Sequence, residues 1–491
     1  MLTIAPPFIY AGSATPEYKT LDELAGKKFA YVNGSVYTKN IQDRIEGTSV
    51  QFYPSLAECV AAVESGKADA AVQLSYGCQL AVNQRPGTVA LLPEAVTEVS
   101  EGYFFRHDSP LTAQFNDVIS KLSKDGTLAK LEKKWVAADE THKTLPPQDW
   151  EAPNGTLKFA TSGVLAPFSY VGEGGEVRGY DVELALLIAR ELGYHLEISA
   201  IPMDSILAAV DTGKVDFGGT LTETPERASV CDFSDQVMPT TISVIVRSEE
   251  ASSSAGFVGR IADSFKKTFI EENRWTLILS GLGATVLISV CAGILGLVIG
   301  YWSVLARRSG KTPVGKIVDG YQTLMGGIPL VVVLMVLYYV VFGSVNIPGE
   351  IVAIIAFSLA FGSAAGSTMW TAVEGIDSVQ EESGLALGYT RGQVFHKIIF
   401  PQARRRFTPQ LMGQFISLVK DTAIVGYIAV QDLTRAGDII RARTMEAFFP
   451  LITTALIYLV ICLLLGWVLR KVAARLEAKN EPGWIEEVEK G

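Results

Sequence analysis

The chain is poor in the residues from which most active sites are built. Four histidines and five cysteines are scattered through 491 residues, and none of them stands in a metal-ligand or nucleophile pattern. His107, His142, His195 and His396 therefore read as structural or surface residues. Cys291 and Cys462 lie in apolar runs, and the odd, dispersed set of cysteines reads as free thiols rather than a disulfide framework. Charge is scarce as well. Only 19% of residues are Asp, Glu, Lys or Arg, against 48% apolar, below the roughly 25% charged content of an ordinary soluble protein. The formal net charge of −10, without an extended Lys/Arg run, argues against a nucleic-acid partner. Gly310-Lys311-Thr312 looks like the end of a phosphate-binding loop, but the first glycine of that motif falls on Leu305. It also follows an apolar helix instead of a strand, so no phosphate cradle can form there.

What the chain has instead is a sharp internal division. Up to about residue 270 it alternates short β-type runs such as Leu157–Thr161 with charged helical patterns, as a soluble domain does. Beyond that point come five apolar stretches near the length of about 20 residues that a membrane-spanning helix needs: Trp275–Leu305, Gly320–Phe342, Ile351–Trp370, Leu411–Val430 and Phe448–Leu469. The third is rich in small residues, which lets helices approach closely in a bundle. The fourth carries Lys420 and Asp421, ionisable groups at membrane depth that read equally as a translocation path or as a structural pair. Arg307, Arg308, Lys311 and Lys316 follow the first span, Arg391, Lys397 and Arg404–Arg406 the third, and Arg470-Lys471 the last. The positive-inside rule places these segments and the C-terminus in the cytoplasm and residues 1–270 outside. Arg435, Arg441 and Arg443, in the loop before the last span, break the pattern. The first residues, MLTIAPPFIYAG, lack the n- and h-regions of a secretory signal, and the natural N-terminus is expected upstream.

The third loop reads Glu382-Ser383-Gly384-Leu-Ala-Leu-Gly388, then nine residues, then Ile398-Ile-Phe-Pro401. A short helix with small residues on one side, ended by Gly and then stopped by Pro, makes a compact knob between two spans that can pass a partner's motion into the bundle. The segment is similar to the E-A-A-x3-G-x9-I-x-L-P coupling loop of ATP-binding-cassette (ABC) importer permeases, with Ser383, Gly384 and Phe400 as mild departures. Ser264–Trp275, Pro401-Gln-Ala-Arg and Leu418-Val-Lys-Asp-Thr422 resemble the polar amino-acid permeases in particular; Gly326-Gly-Ile-Pro329 lacks the arginine usual in that family. The resemblance implies a membrane permease, homodimeric or paired with a second permease subunit, served by a dimer of cytoplasmic ATPases. ATP and Mg2+ would bind that partner, leaving this chain without a cofactor and without enzymatic activity of its own.

The exterior part resembles the two lobes of the amino-acid-binding proteins of such importers, in reversed order. Ala166-Pro-Phe-Ser-Tyr170, Gly179-Tyr-Asp-Val-Glu-Leu184 and Thr222-Glu-Thr-Pro-Glu-Arg227 match the first lobe; Thr20–Gly26, Gly34-Ser35, Gly66-Lys-Ala-Asp-Ala70 and Lys134-Trp135 match the second lobe and its returning tail. Either one circularly permuted domain or two partial copies would give this order. The expected fold is an α/β bilobed, periplasmic-binding-protein-like exterior followed by an all-α five-span membrane bundle. Its segments are a second lobe and tail (1–145), a linker (146–154), a first lobe (155–250), a linker and membrane-entry helix (251–274), the permease (275–470) and a cytoplasmic tail (471–491).

The resemblance also implies a pocket. Arg227 would grip a ligand carboxylate, since guanidinium suits a two-point carboxylate contact, with Thr222 as its companion. Thr220 takes the place of a glycine, and Leu165 and Met203 take the places of aromatic walls beside Phe168. Asn33, Gly34 and Ser35 would supply backbone contacts from the second lobe. The acid that usually holds the ammonium group falls on Leu74, flanked by Gln73 and Ser75. A buried ammonium without a carboxylate is costly, so another acid substitutes, the solute is unusual, or binding is lost. The expected activity is solute capture outside and ATP-driven import of a polar amino acid across the cell membrane, coupled through Glu382, Ser383, Gly384, Gly388, Ile398 and Pro401. The alternatives are a ligand-gated channel or a non-transporting sensor of glutamate-receptor-like architecture.

Overall fold

The computed structural model describes residues 14–136, 143–172, 175–249, 257–309, 312–343, 345 and 347–478. The start of the chain, His142, the Gly310-Lys311 pair and residues 479–491 lie outside the described residues. Two compact units emerge. One comprises 1–280 with 343–345 and 434–452; the other holds the remaining helices.

The first unit is built on strands β1 (Lys28–Val32), β2 (Ser49–Tyr53), β3 (Ala70–Leu74), β4 (Val89–Leu91), β5 (Thr97–Phe105), β6 (Thr156–Thr161), β7 (Val164–Leu165), β8 (Ser169–Val171), β9 (Val177–Arg178), β10 (His195–Ala200), β11 (Phe217–Thr222), β12 (Asp232–Phe233) and β13 (Met238–Arg247). Ten of them join one sheet in the order β10-β6-β11-β5-β13-β3-β1-β2, with β12 on β5 and β4 on β13; β7, β8 and β9 form a small second sheet. At each end the pairing is parallel. The inner strands β1 and β3 carry runs of buried apolar residues, whereas the edge strands β2 and β10 alternate with polar ones. In the middle, β5 and β13 run antiparallel to each other and to their neighbours. These two strands join the two parallel ends of the sheet, the two lobes, and are termed the hinge strands. The segments before and after residue 150 thus contribute to one sheet. The residues expected to form a linker also pack on the first lobe: the Trp150 indole donates to Tyr194 O at 2.9 Å, and Gln148 exchanges hydrogen bonds with both backbone groups of Leu196.

Small residues make the hinge possible. A Cβ on Gly218 of β11 would lie inside the Phe104 ring of β5, and one on Gly102 would meet Ser234 O at 2.7 Å. Tyr103 meets Phe115, Phe159 and Phe217 edge-to-face, and Phe217 stacks on Phe105 and Phe159, in a buried aromatic core beneath the first lobe.

In the second unit three helices are long and apolar enough to cross a membrane, Trp275–Arg308, Gly349–Glu374 and Phe449–Ala474, or five if each of two bent pairs counts as one span. The stretch expected as a single span over Gly320–Phe342 is broken. Pro313–Gly327 and Leu330–Val341 meet at 107° because Pro329, which has no N–H to continue a helix, stands at the start of the second piece. The expected span Leu411–Val430 is α-helical only to Asp421 and continues as a 3-10 helix over Thr422–Ile428. The small residues of the third stretch pack as expected. Gly362 and Gly366 face Gly296 and Gly300 of the first helix so closely that a Cβ on Gly300 would lie 2.9 Å from Gly366 N. Two G-x-x-x-G faces therefore interlock.

Candidate functional site

Arg227 sits in the short helix Pro225–Ala228, which Pro225 opens and Thr224 caps by accepting the Arg227 N–H at 3.3 Å. That cap turns the half-buried guanidinium back over the end of β11, where it donates to Thr222 O at 2.9 Å. The Thr222 hydroxyl donates to the carboxylate of Glu101 on the hinge strand β5 and lies 3.0 Å from the Tyr37 hydroxyl of the second lobe. With its one hydrogen given to Glu101, Thr222 accepts from Tyr37. Arg227, Thr222, Glu101 and Tyr37 thus meet where the two lobes and the hinge converge. Phe168 of the first lobe and Tyr76 of the second add an edge-to-face ring contact, 5.7 Å between centroids.

The electrostatics are uneven. Burial pushes the Glu101 carboxyl up to about 8, with Asp181 adding to the rise and Thr222 and Arg227 opposing it. Asp181 is pushed up to about 7 by burial, against two hydrogen bonds from Thr220. Burial also raises the Tyr37 hydroxyl and lowers the Arg227 guanidinium from its usual value. Among the described residues Arg227 forms no ion pair, so its remaining N–H groups stay available to a ligand.

The other residues read from the sequence are placed as follows. The Thr220 hydroxyl is bound to Asp181 at 2.6 Å. Phe168 is buried in the core, Leu165 is half-buried beside it and Met203 is exposed at a helix start. Asn33 and Gly34 are exposed in the turn after β1, where Gly34 takes a left-handed φ of 77°. Ser35 accepts the Tyr37 N–H, so this turn contributes by delivering Tyr37. The Gln73 side chain folds back onto the Leu74 N–H, and Leu74 is buried in the core. Sequence reasoning missed Glu101 and Tyr37. The available signal for Glu101 was an acid directly ahead of the buried run Gly-Tyr-Phe-Phe.

The loop before the last span forms a helix, Leu433–Thr444, and its arginines meet both lobes. Arg435 donates to Ser162 O and Arg443 to Val171 O in the first lobe. Arg441 pairs with Glu58 of the second lobe, and Arg85 of that lobe returns two hydrogen bonds to Met445 O. Met445 and Ala447 are buried with Ala57, Cys59 and Val60.

In the other unit, Glu382 and Ser383 lie exposed on the helix Ser378–Ala386. Gly384 faces inward, where a Cβ would lie 2.8 Å from Val394 and 2.9 Å from Ile398. Gly388 ends the helix with a φ of 85°, a conformation that glycine adopts without strain. Leu387, 77% exposed, stands beside it. Pro401 does not stop the chain here. It stands where the π-helical turn Phe395–Ile399 passes into the α-helix Phe400–Asp421, inside one helical run over Arg391–Ile428. Lys420 and Asp421 are exposed at the far end of that helix. No group of His, Cys, Asp and Glu suited to a metal occurs among the described residues.

Residues 157–490 match the bacterial extracellular solute-binding proteins, family 3. The chain is also 30% identical to the L-cystine transport system permease protein TcyB of Bacillus subtilis, over 42% of this chain and 90% of that protein. It is 30% identical to the arginine ABC transporter permease protein ArtQ of Escherichia coli, over 41% of this chain and 96% of that protein. Among solved structures, an amino acid ABC transporter is matched at 27% identity over 45% of this chain and 100% of that one, with a TM-score of 0.39.

Proposed function

We propose, from a chain that belongs to the bacterial extracellular solute-binding proteins of family 3 and is homologous to amino-acid ABC permeases, that it is a permease subunit with its own solute-binding lobes fused outside. The solute is a polar amino acid. The single observation that carries this reading is one chain holding both a two-lobed domain in which Arg227 forms no ion pair among the described residues and an exposed, glycine-terminated knob at Glu382–Gly388.

The lobes close on the solute with its carboxylate on Arg227, and Thr222 and the Phe168 region form the wall on the first-lobe side. The two halves of the exterior act as one permuted domain, a reading supported by their common sheet. Glu382, Leu387 and their neighbours meet a cytoplasmic ATPase dimer that binds ATP and Mg2+. Gly384 lets Val394 and Ile398 pack against the knob, so motion of the knob passes into the helix Phe400–Asp421. A second copy of the chain completes the bundle, with Lys420 and Asp421 facing the path between copies. In this arrangement the lobes stand outside the cell membrane and the C-terminus in the cytoplasm.

Deleting Glu382–Gly388 tests the coupling. Uptake of labelled amino acid should fall to background while solute binding by the full chain persists. Uptake at the wild-type rate would sink the mechanism.

A further inference from the structure

The cleft holds a guanidinium for a carboxylate, yet the second-lobe position that should answer the ammonium group is Leu74, 3% exposed and packed in the core. On the reading above, the solute must bury an ammonium, and an unanswered buried charge is prohibitive. The structure offers another acid. Glu101 is also 3% exposed, and its carboxylate accepts from the hydroxyl of the residue whose backbone oxygen holds Arg227.

Strand register relates the two positions. Leu74 on β3 stands opposite Ile242 of β13, and Glu101 on β5 stands opposite Met238 of the same strand. Ile242 and Met238 are an even number of residues apart, and directly paired residues share a face. Leu74 and Glu101 therefore project from the same face of the sheet, one from the second lobe and the other from the hinge. Thr222 stands opposite Glu101 on the other side.

We infer that Glu101 is the specificity-determining acid of this cleft: it receives the ammonium of an α-amino acid whose carboxylate lies on Arg227. The two charged groups are held by two oxygens of one residue, Thr222, so their spacing suits adjacent charges on a single carbon of the solute. The groups facing Glu101 are Thr222 on β11, Arg227 on its short helix, Tyr37 ahead of the helix Thr38–Arg44, and Asp181 at the start of the helix Tyr180–Glu191. Thr220 bonds one oxygen of Asp181 and the other is buried without a hydrogen-bond partner among the described residues, but Asp181 has no bond to the Thr222–Arg227 pair, whereas Glu101 is joined to it through the Thr222 hydroxyl. A purely structural Glu101 would bridge Thr222 and the hinge without reading the solute's amino group.

Calorimetry on the full chain in lipid nanodiscs separates these roles, with L-arginine, L-glutamine and L-cystine and the α-deamino analogue of each as probes. Glu101→Gln should weaken the amino acid by about tenfold or more, equivalent to about 1.4 kcal/mol, and leave the deamino analogue unchanged. Adding Leu74→Asp to that variant should restore the preference for the amino acid. Equal effects on both ligands, or none on either, would overturn the inference and leave the import reading standing. A native chain that binds none of the twenty amino acids would overturn both. If the amide variant does not fold, the native chain decides alone: its preference for amino acid over deamino analogue must rise between pH 6 and pH 8, and a flat preference overturns the inference.

Discussion

Raising the pH should tighten amino-acid binding, and the structure sets the size of the effect. Burial holds the empty-cleft Glu101 carboxyl at about 8, so the acid is almost entirely protonated at pH 6. An ammonium group needs the ionised form, and its arrival pulls the carboxyl back down. Each unit between the ambient pH and the carboxyl's own value costs about 1.4 kcal/mol. Near pH 6 that is about 2.7 kcal/mol, and near pH 8 it is mostly gone. Affinity should therefore rise by about 50-fold from pH 6 to pH 8 and level off above, with close to one proton released per solute at pH 7. Thr222 opposes the upward shift and Asp181 reinforces it, so the midpoint belongs to the cluster. Calorimetry at fixed pH in phosphate and in Tris reads the proton directly, because the apparent enthalpy differs by the protons released times the difference in buffer ionisation enthalpy. Identical enthalpies in both buffers, with a dissociation constant flat from pH 6 to pH 8, would refute the reasoning.

The same shift has a stability consequence of the opposite sign. Between the ordinary carboxylate value and about 8 the folded domain holds a proton that the unfolded chain has lost, so Glu101 makes stability fall as pH rises through that window; Glu101→Gln should raise the melting temperature of the exterior domain at pH 8 and change it little at pH 5. The Arg441–Glu58 pair, with side chains only 9% and 17% exposed, should cost about 2–3 kcal/mol when either partner is cut to alanine. The double variant should be less destabilised than the sum, by about 1–2 kcal/mol, in denaturant titrations followed by the fluorescence of Trp135 and Trp150; strict additivity would mean that the pair is idle. Gly384→Val should crowd Val394 and Ile398 and lower ATPase-coupled uptake at least severalfold while leaving solute affinity intact, whereas a loss of affinity would place this glycine outside the coupling path.

Local and periodic features were legible in the sequence. The first, third and last apolar runs, the glycine at 388 and the small-residue face around Gly362 and Gly366 act through neighbours a few residues away or one helix turn apart, and they form the elements expected of them. The break at Pro329 was legible in principle, since proline cannot continue the preceding helix, but hydropathy averaged over twenty residues hides it. Long-range features were not legible. Glu101 meets Thr222 across 121 residues and Tyr37 meets it across 185, and neither carries a local pattern. Nor could Arg435, Arg441 and Arg443 be reconciled with their side of the membrane from charge counts. In the structure they are answered by Ser162 O, Glu58 and Val171 O of the lobes, so they are interface residues to which a loop-charge rule does not apply. Leu74 leaves its position without an acid, and only the sheet register relates that position to Glu101.

The central claim is that this one chain both captures an amino acid and moves it at the expense of ATP. The most direct measurement is accumulation of labelled L-arginine, L-glutamine and L-cystine in proteoliposomes that hold the full chain together with its cytoplasmic ATPase. The account predicts ATP-dependent accumulation of at least one of them above the outside concentration, abolished by Arg227→Ala. Equilibration to the outside concentration at the same rate with and without ATP would mean a gated pore, and would contradict it.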